Sequence, residues 1–209
     1  MKPVAQFNHQ DVVLDEPERC YNKFFKIDLY RFKHALFGGG QSQTICREIL
    51  ERGHAVAVLP YDPATDQVLL IEQIRIGALA TKDSPWLLEC IAGMAEGSQD
   101  YEGVVRKEAM EEAGLALDEL HYMTSYLSSP GGSTERLYLY LAKADLSQAG
   151  GIYGLPEEGE DIKVHVMPFS EALTRLENEE IDNAATVISL QWLALHKAKM
   201  LAQWHAQPI

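Results

Sequence analysis

Residues 93–115 read GMAEGSQDYEGVVRKEAMEEAGL, and this is the most informative stretch of the chain. Placed on a loop followed by a helix, it puts Glu108, Glu111 and Glu112 on one narrow face, because helical residues three and four apart are neighbours. Like charges at that spacing disfavour an isolated helix by roughly 0.2–0.5 kcal/mol per pair. A divalent cation removes that penalty, since Mg²⁺ takes carboxylate oxygens as ligands. The other interpretation is a solvated acidic face, which is the usual state of surface glutamates.

The residues around the glutamates are typical of a strand, a glycine loop and a helix. Residues 86–92 (WLLECIA) predict a buried strand, and Gly93 and Gly97 permit a tight loop after it. Asp100 can cap the start of the helix, and Gly114 stands where helices often end in a left-handed residue. A stripe of small apolar residues predicts that the helix packs closely on a sheet, namely Val105, Ala109 and Ala113.

This stretch resembles the signature of the Nudix hydrolases, G-x5-E-x7-R-E-U-x-E-E-x-G-U, in which U is a bulky apolar residue. Two positions depart from it: Gln99 stands where the family has Glu, and Lys107 stands where it has Arg. In the family these two positions brace the loop against the helix, and Lys cannot form the bidentate contacts of Arg. The resemblance implies an α/β Nudix fold, a mixed β-sheet sandwiched between helices (α/β/α). The residues in register with the signature are Gly93, Glu108, Ala109, Glu111, Glu112, Gly114 and Leu115.

Composition limits the classes of function. The 209 residues are 46% hydrophobic, enough for one ordinary domain with an extension. A net charge of −13 repels polyanions, so nucleic acid is not expected as a partner. Neither a run of 18 apolar residues nor an apolar signal core is present, which predicts a cytoplasmic protein that does not bind membranes. Three scattered cysteines argue against a disulfide framework and against a structural zinc site.

Hydrophobic patterning divides the chain at Gly53. Residues 1–18 predict a mobile arm, residues 20–38 a strand, and residues 42–52 a strand or a short helix, of which we favour the strand. Residues 1–53 are too few to fold alone and must dock on something. The remaining range, 54–209, predicts the main domain. Its strand patterns lie at residues 54–62, 67–77, 86–93, 121–130, 135–145 and 162–169, and its helical patterns at 170–180 and 184–204.

From about Tyr21 to Trp204 the chain resembles the bacterial dimeric ADP-ribose pyrophosphatases of the Nudix family. Pro130, 16 residues beyond Gly114, resembles the proline marker of that subgroup, although SPGG at residues 129–132 is also simply a good turn. In the subgroup the N-terminal strands are exchanged between two subunits, which implies a homodimer for this chain. The stretches that carry the resemblance include residues 24–25, 47–49, 51–53, 72–75, 133–136, 158–166 and 181–185.

The resemblance implies a metal site on the acidic helix face. Glu108 and Glu112, with the backbone carbonyl of Ala92, would hold two or three Mg²⁺ ions, or Mn²⁺ in their place. Glu111 would be a weaker, outer ligand. In the acidic segment 154–161 (GLPEEGED), the match implies Glu158 as the catalytic base and Glu160 as a further metal ligand. Without the match, solvation explains such an acidic loop better.

The resemblance also implies a substrate pocket. Phe24 would stack on the adenine, where the alternative is core packing in an alternating strand. Arg47 would reach the ligand from the partner chain and Arg75 from its own chain, where the alternative is ordinary ion pairing. Glu135 would hydrogen-bond the ligand. A flat base needs an aromatic or guanidinium face, and a diphosphate needs Arg, so these residue types suit the ligand.

The implied activity is Mg²⁺-dependent hydrolysis of ADP-ribose to AMP and ribose 5-phosphate. Two alternatives remain: a pyrophosphatase for another nucleotide, such as GDP-mannose or NADH, and a non-catalytic sensor of ADP-ribose. Gln99 and Lys107 favour the sensor, whereas the complete set of carboxylates favours the enzyme.

Overall fold

The computed structural model describes residues 4–117 and 119–205, which form two compact units. One unit contains residues 4–53 and 127–135, and the other contains residues 54–126 and 136–205. Residues 1–3 and 206–209, the outer ends of the two predicted domains, lie outside the described residues. The segment 127–135 belongs to the first unit, although its sequence position lies within the range 54–209. The functional division of the chain at Gly53 stays a prediction.

The first unit is a four-stranded antiparallel sheet built around one long strand, β3. The other three strands all pair with β3, and a 3-10 helix, His9–Asp11, precedes the first of them. The strands are β1 (Val12–Leu14), β2 (Glu18–Asn22), β3 (Lys26–His34) and β4 (Ile45–Glu51).

Two expectations for this unit were wrong and one is confirmed. The predicted mobile arm contains β1, a run of three apolar residues that is too short to give a strand pattern alone. The single strand expected over residues 20–38 is two strands, separated by a turn in which the Lys23 N–H donates to the Phe25 carbonyl at 3.0 Å. That turn contains neither Gly nor Pro, so the usual turn signals are missing. The strand favoured at residues 42–52 is present as β4.

The second unit is built on an eight-stranded sheet in the order β11-β12-β6-β5-β10-β9, with β7 attached to β6 and β8 attached to β5. Strands β5 and β10 are parallel, which makes the sheet mixed. Its strands are β5 (Ala55–Asp62), β6 (Gln67–Ile74), β7 (Trp86–Glu89), β8 (Ile91–Met94), β9 (Glu119–Leu127), β10 (Arg136–Lys143), β11 (Gly151–Tyr153) and β12 (Ile162–Pro168).

The predicted strand over residues 86–93 is two strands, and this difference positions the site. Strands β5 and β6 pair only near their hairpin, at Tyr61–Val68 and Asp62–Gln67. Beyond that point β7 takes the edge of β6 and β8 takes the edge of β5. Cys90 separates the two strands, and its N–H donates to Thr186 Oγ1 at 2.7 Å instead of to a neighbouring strand. Hydrophobicity alone does not reveal such a break.

Helices cover both faces of the sheet, so the α/β/α arrangement is confirmed. Helix α1 (Tyr101–Ala113) packs on one face, and α2 (Phe169–Glu177) and α3 (Ala184–His205) pack on the other. All eight residues of β5 are buried, as expected for a strand covered on both faces. No helix within the described residues combines the length and apolar character that crossing a membrane requires.

Candidate active site

Helix α1 forms for the local reasons that its sequence predicts. The Asp100 carboxylate accepts a hydrogen bond of 3.0 Å from the Gly103 N–H and caps the helix. Gly114 ends it in the left-handed region, with φ of 61°. The stripe of Val105, Ala109 and Ala113 is buried against the sheet, as predicted. This packing fixes the rotation of the helix and therefore the direction of its carboxylates.

Glu112 is the most deeply buried of these carboxylates. Its side chain belongs to a residue only 3% exposed, and Oε2 accepts a hydrogen bond of 3.0 Å from the Ala92 N–H. Burial raises the pKa of Glu112 to about 8, and repulsion from Glu108 and Glu160 adds to that shift. The bond from Ala92 lowers the pKa but does not cancel the effect of burial. The fold thus buries the carboxyl group of Glu112, which has no ion-pair partner among the described residues.

Glu108 lies against Gly93, which belongs to strand β8 and not to the predicted loop before the helix. A Cβ atom added at Gly93 would overlap the Glu108 carboxyl group, so the close approach requires glycine here. Burial raises the pKa of Glu108, and Glu111 and Glu160 raise it further by repulsion, while Lys107 opposes the shift. The carboxyl group of Glu108 therefore lies over the same backbone segment that Glu112 touches.

Lys107 binds carboxylates of its own helix. Its Nζ lies 2.9 Å from Glu111 Oε2 and 3.6 Å from Glu108 Oε1. At a position where the family uses a residue to brace the loop, this chain has a cation held by the helix face. Lys107 partly neutralises the acidic face at Glu111 and Glu108.

The acidic segment 154–161 is attached to the C-terminal end of α1. The Gly154 N–H donates to the Glu111 carbonyl at 3.2 Å. Glu160 folds back on the segment, where its Oε2 accepts from the Leu155 N–H at 3.0 Å. Glu158 ends a 3-10 helix (Pro156–Glu158) and is exposed, and among the described residues its side chain has no hydrogen bond or ion pair. The structure thus brings Glu160 to the helix carboxylates and leaves the carboxylate of Glu158 free.

Arg75 forms an ion pair with Glu89, a partner that the sequence pattern did not identify. Its Nε and Nη2 both lie 2.9 Å from Oε2 of Glu89, a residue only 9% exposed. Burial raises the pKa of Glu89, and Arg75 opposes the shift. Gln73, two residues before Arg75, is 6% exposed, and its Nε2 has no protein partner within the described ranges. Glu89 and Gln73 are polar residues within apolar strand segments, and this is the sequence signal by which they could have been predicted as functional residues.

The remaining predicted substrate residues lie in the first unit. Phe24 is 81% exposed and packs edge-to-face on Phe25 at 4.9 Å, which excludes core packing within its own chain. Arg47 is exposed, and its Nη1 donates to the Cys46 carbonyl at 2.7 Å. Glu135 is buried, and its Oε1 lies 3.2 Å from Nε of Arg52.

The donor set on α1 fits a hard divalent cation. Three observations of the structure support this: only oxygen donors converge there, Glu112 is buried with an elevated pKa, and the Gly93 backbone leaves room for a carboxyl group instead of a Cβ atom. Across the described residues no three acidic, His or Cys side chains lie close enough together to form a metal cluster. Residues that would hold the metal are Glu108, Glu112, Glu160, the carbonyl of Ala92 and, more weakly, Glu111.

Comparisons with known proteins show what the chain is similar to. A model of the NUDIX domain matches residues 51–209. The ADP-ribose pyrophosphatase of Escherichia coli (strain K12) is 48% identical over 198 residues, which cover 95% of each chain. The ADP-ribose pyrophosphatase of Haemophilus influenzae is 44% identical over 207 residues, which cover 98% of this chain and 95% of the relative. A solved structure of an ADP compounds hydrolase, 16% identical, covers 93% of this chain and 98% of its own with a TM-score of 0.68, a likeness of fold.

Proposed function

Because the chain belongs to the Nudix family, we propose that it hydrolyses the diphosphate of ADP-ribose to AMP and ribose 5-phosphate in a metal-dependent reaction. Two relatives with the name ADP-ribose pyrophosphatase, 48% and 44% identical over almost the whole chain, support this substrate. The observation that carries the proposal is the buried Glu112 carboxyl beside Glu108 and Glu160, at the backbone of Ala92.

The proposed cofactor is Mg²⁺, two or three ions per site, with Mn²⁺ as a substitute. When bound, such ions neutralise the diphosphate and lower the pKa of a water molecule. Glu108, Glu112 and the Ala92 carbonyl supply the inner ligands, Glu160 adds a further one, and Glu111 is an outer ligand shared with Lys107. Glu112 must lose its proton to act as a ligand, which metal binding promotes.

Glu158 is the proposed base that accepts the proton of the attacking water. Its exposed carboxylate has no partner among the described residues and stands two residues before Glu160. A base must be free to reach the water, and an unpaired carboxylate on a loop meets that requirement. Gly159, at φ 72°, separates the two glutamates and lets them point in different directions.

Arg75 is the proposed ligand of the diphosphate, and Phe24, Arg47 and Glu135 are proposed to bind the rest of the substrate. Phe24 offers an exposed ring face for the adenine. The exposed Arg47 is proposed to reach a ligand held by the second subunit. Glu135 engages Arg52 through Oε1, and we expect its other oxygen to accept a hydrogen bond from the substrate.

The proposed assembly is a homodimer in which the first unit is shared with a second copy. Among the described residues of that unit no apolar side chain is buried, and every residue of β1 and β2 is exposed. A small sheet needs a covered apolar face to be stable, so a second copy of the chain is the proposed cover. Sedimentation should give twice the mass of the chain. Val13→Asp in β1 should shift the protein toward monomer, while Leu195→Asp, at an even more exposed apolar residue on α3 in the other unit, should not.

The substrate is tested by comparing kcat/KM for ADP-ribose, GDP-mannose and NADH under the same metal concentration. The proposal predicts the highest value for ADP-ribose. A higher value for GDP-mannose or NADH would replace the substrate but keep the reaction class. ADP-ribose binding without cleavage of any of the three would favour a sensor. The cytoplasmic location predicted from the sequence stays part of this proposal.

A further inference from the structure

We propose that Glu89 is the positioning residue that fixes the guanidinium of Arg75 for the diphosphate of the substrate. The inference rests on the proposed function, because it assigns a partner to one of the substrate-binding residues. Ion pairing and ligand binding by Arg75 were alternatives in the sequence analysis. In this proposal the Arg75–Glu89 ion pair supports ligand binding.

The geometry of the pair gives the first argument. Nε and Nη2, the two nitrogens on one edge of the guanidinium, both lie 2.9 Å from Glu89 Oε2. Because both contacts meet the same carboxylate oxygen, they hold this edge of the guanidinium at Glu89. Nη1 takes no part in this ion pair. One edge of the Arg75 guanidinium is therefore held by Glu89, and the edge that includes Nη1 can bind an anion.

The burial of the two partners differs, which gives the second argument. The Glu89 side chain is 11% exposed, whereas the Arg75 side chain is 45% exposed. Glu89 is fixed in the sheet by the pairing of β7 with β6, where it lies opposite Ile71. The backbone of Arg75 is fixed as well, because its N–H donates to the Pro85 carbonyl at 2.7 Å. The buried carboxylate of Glu89 thus holds the guanidinium of Arg75, which is partly exposed to solvent.

A double-mutant cycle tests the inference, with Glu89→Gln, Arg75→Ala and the double variant assayed on ADP-ribose. Glutamine keeps the shape of the side chain and removes the charge that holds Arg75. The expected result is a rise of about tenfold in KM, the size of one hydrogen bond to a charged group, with kcat changed by less than about twofold. The double variant should have the KM of Arg75→Ala alone, since Glu89 acts only through Arg75.

The controls separate positioning from a general loss of structure. Glu171→Gln removes an exposed Arg175 ion pair on α2, on the other face of the sheet, and should leave KM unchanged. Thermal unfolding without ligand should be close to wild type for Glu89→Gln, because burial already raises the pKa of this carboxyl. If the Gln variant does not fold, Glu89→Asp, one methylene shorter, should still raise KM several-fold.

Two results would overturn the inference: an unchanged KM in the Glu89 variants, or effects of Glu89→Gln and Arg75→Ala that multiply in the double variant. Either result in an enzyme that cleaves ADP-ribose leaves the proposed function standing. A wild-type protein that does not cleave ADP-ribose contradicts the proposed function itself.

Discussion

The carboxylate of Glu112 accepts a hydrogen bond of 3.0 Å from the backbone N–H of Ala92. This bond joins α1 to β8 at the residue whose carbonyl is proposed to bind metal. It is also the interaction that most favours the ionised form of a carboxyl group otherwise destabilised by burial. The carboxyl group of Glu112 is therefore neutral in the metal-free protein near pH 7. It ionises and becomes a ligand when a cation binds.

Replacing Glu112 by Gln should separate stability from activity. Gln keeps an acceptor for the Ala92 N–H and removes the buried charge, so the metal-free variant should melt at least about 2–4 °C higher at pH 8. Turnover should fall by more than the roughly 10- to 100-fold typical for residues that only support a metal ligand. Calorimetric unfolding and steady-state kinetics measure the two effects. Wild-type kcat in this variant would remove Glu112 from the metal site.

The pH dependence of stability follows from the same group. In the folded protein the pKa of Glu112 is about 8, above its ordinary value of 4.5. Between these values the folded state holds a proton that the unfolded state has lost, so the free energy of unfolding decreases as pH rises from about 4.5 to 8. Urea unfolding of the metal-free protein across this range should show the decrease, and Glu112→Gln should flatten it. Glu102→Gln, on the exposed side of the same helix, is the control and should keep the wild-type slope.

Replacing Glu158 by Gln should lower kcat and leave KM nearly unchanged. Loss of a general base costs roughly 10²- to 10⁴-fold, while the exposed side chain makes no contact among the described residues that the fold would lose. The neighbouring Glu157→Gln, in the same 3-10 helix, should keep wild-type kinetics. A change in KM alone for Glu158→Gln would assign it to binding only.

Phe24→Ala should weaken substrate binding without affecting the fold. The ring is almost fully exposed, so its loss removes little burial, and base–aromatic stacking is worth roughly 1–3 kcal/mol. KM for ADP-ribose should therefore rise about fivefold or more, at an unchanged melting temperature. Phe37→Ala, 84% exposed in the same unit, provides the matched control. Equal KM values in the two variants would exclude the stacking role.

Gly93→Ala should weaken metal binding by displacing the Glu108 side chain. The added methyl group would overlap the Glu108 carboxyl group, which must move away from Ala92 and Glu112. Metal affinity, measured by calorimetry with Mg²⁺ or Mn²⁺, should fall together with kcat. Gly77→Ala adds a methyl group with no atom within 4 Å and should retain both. Unaltered metal affinity in Gly93→Ala would show that Glu108 is not a ligand in its observed position.

The sequence predicted the parts of the fold that local interactions determine. The Asp100 cap, the Gly114 terminus and the Val105, Ala109, Ala113 stripe all act within one helix, so α1 and its acidic face could be placed in advance. Most strands of the second unit have either an alternation of apolar and polar residues or a short apolar run, and both patterns are visible in the local sequence.

Long-range pairing determined what the sequence did not predict. Arg75 and Glu89 are 14 residues apart and meet only because β6 and β7 pair. The break at Cys90 depends on Thr186, 96 residues away. Strand β1 is too short to signal itself and exists because it pairs with β3. The contact of Lys107 with Glu111 is an exception, because it is local to one helix and the family resemblance did not indicate it.

The most direct test follows the phosphorus atoms of ADP-ribose by ³¹P NMR during incubation with the purified protein. With Mg²⁺ present, the diphosphate signals should be replaced by equal amounts of AMP and ribose 5-phosphate, and EDTA or Glu112→Gln should suppress the conversion. An intact diphosphate in the presence of Mg²⁺, or conversion at the same rate in EDTA, would contradict the proposed metal-dependent hydrolysis.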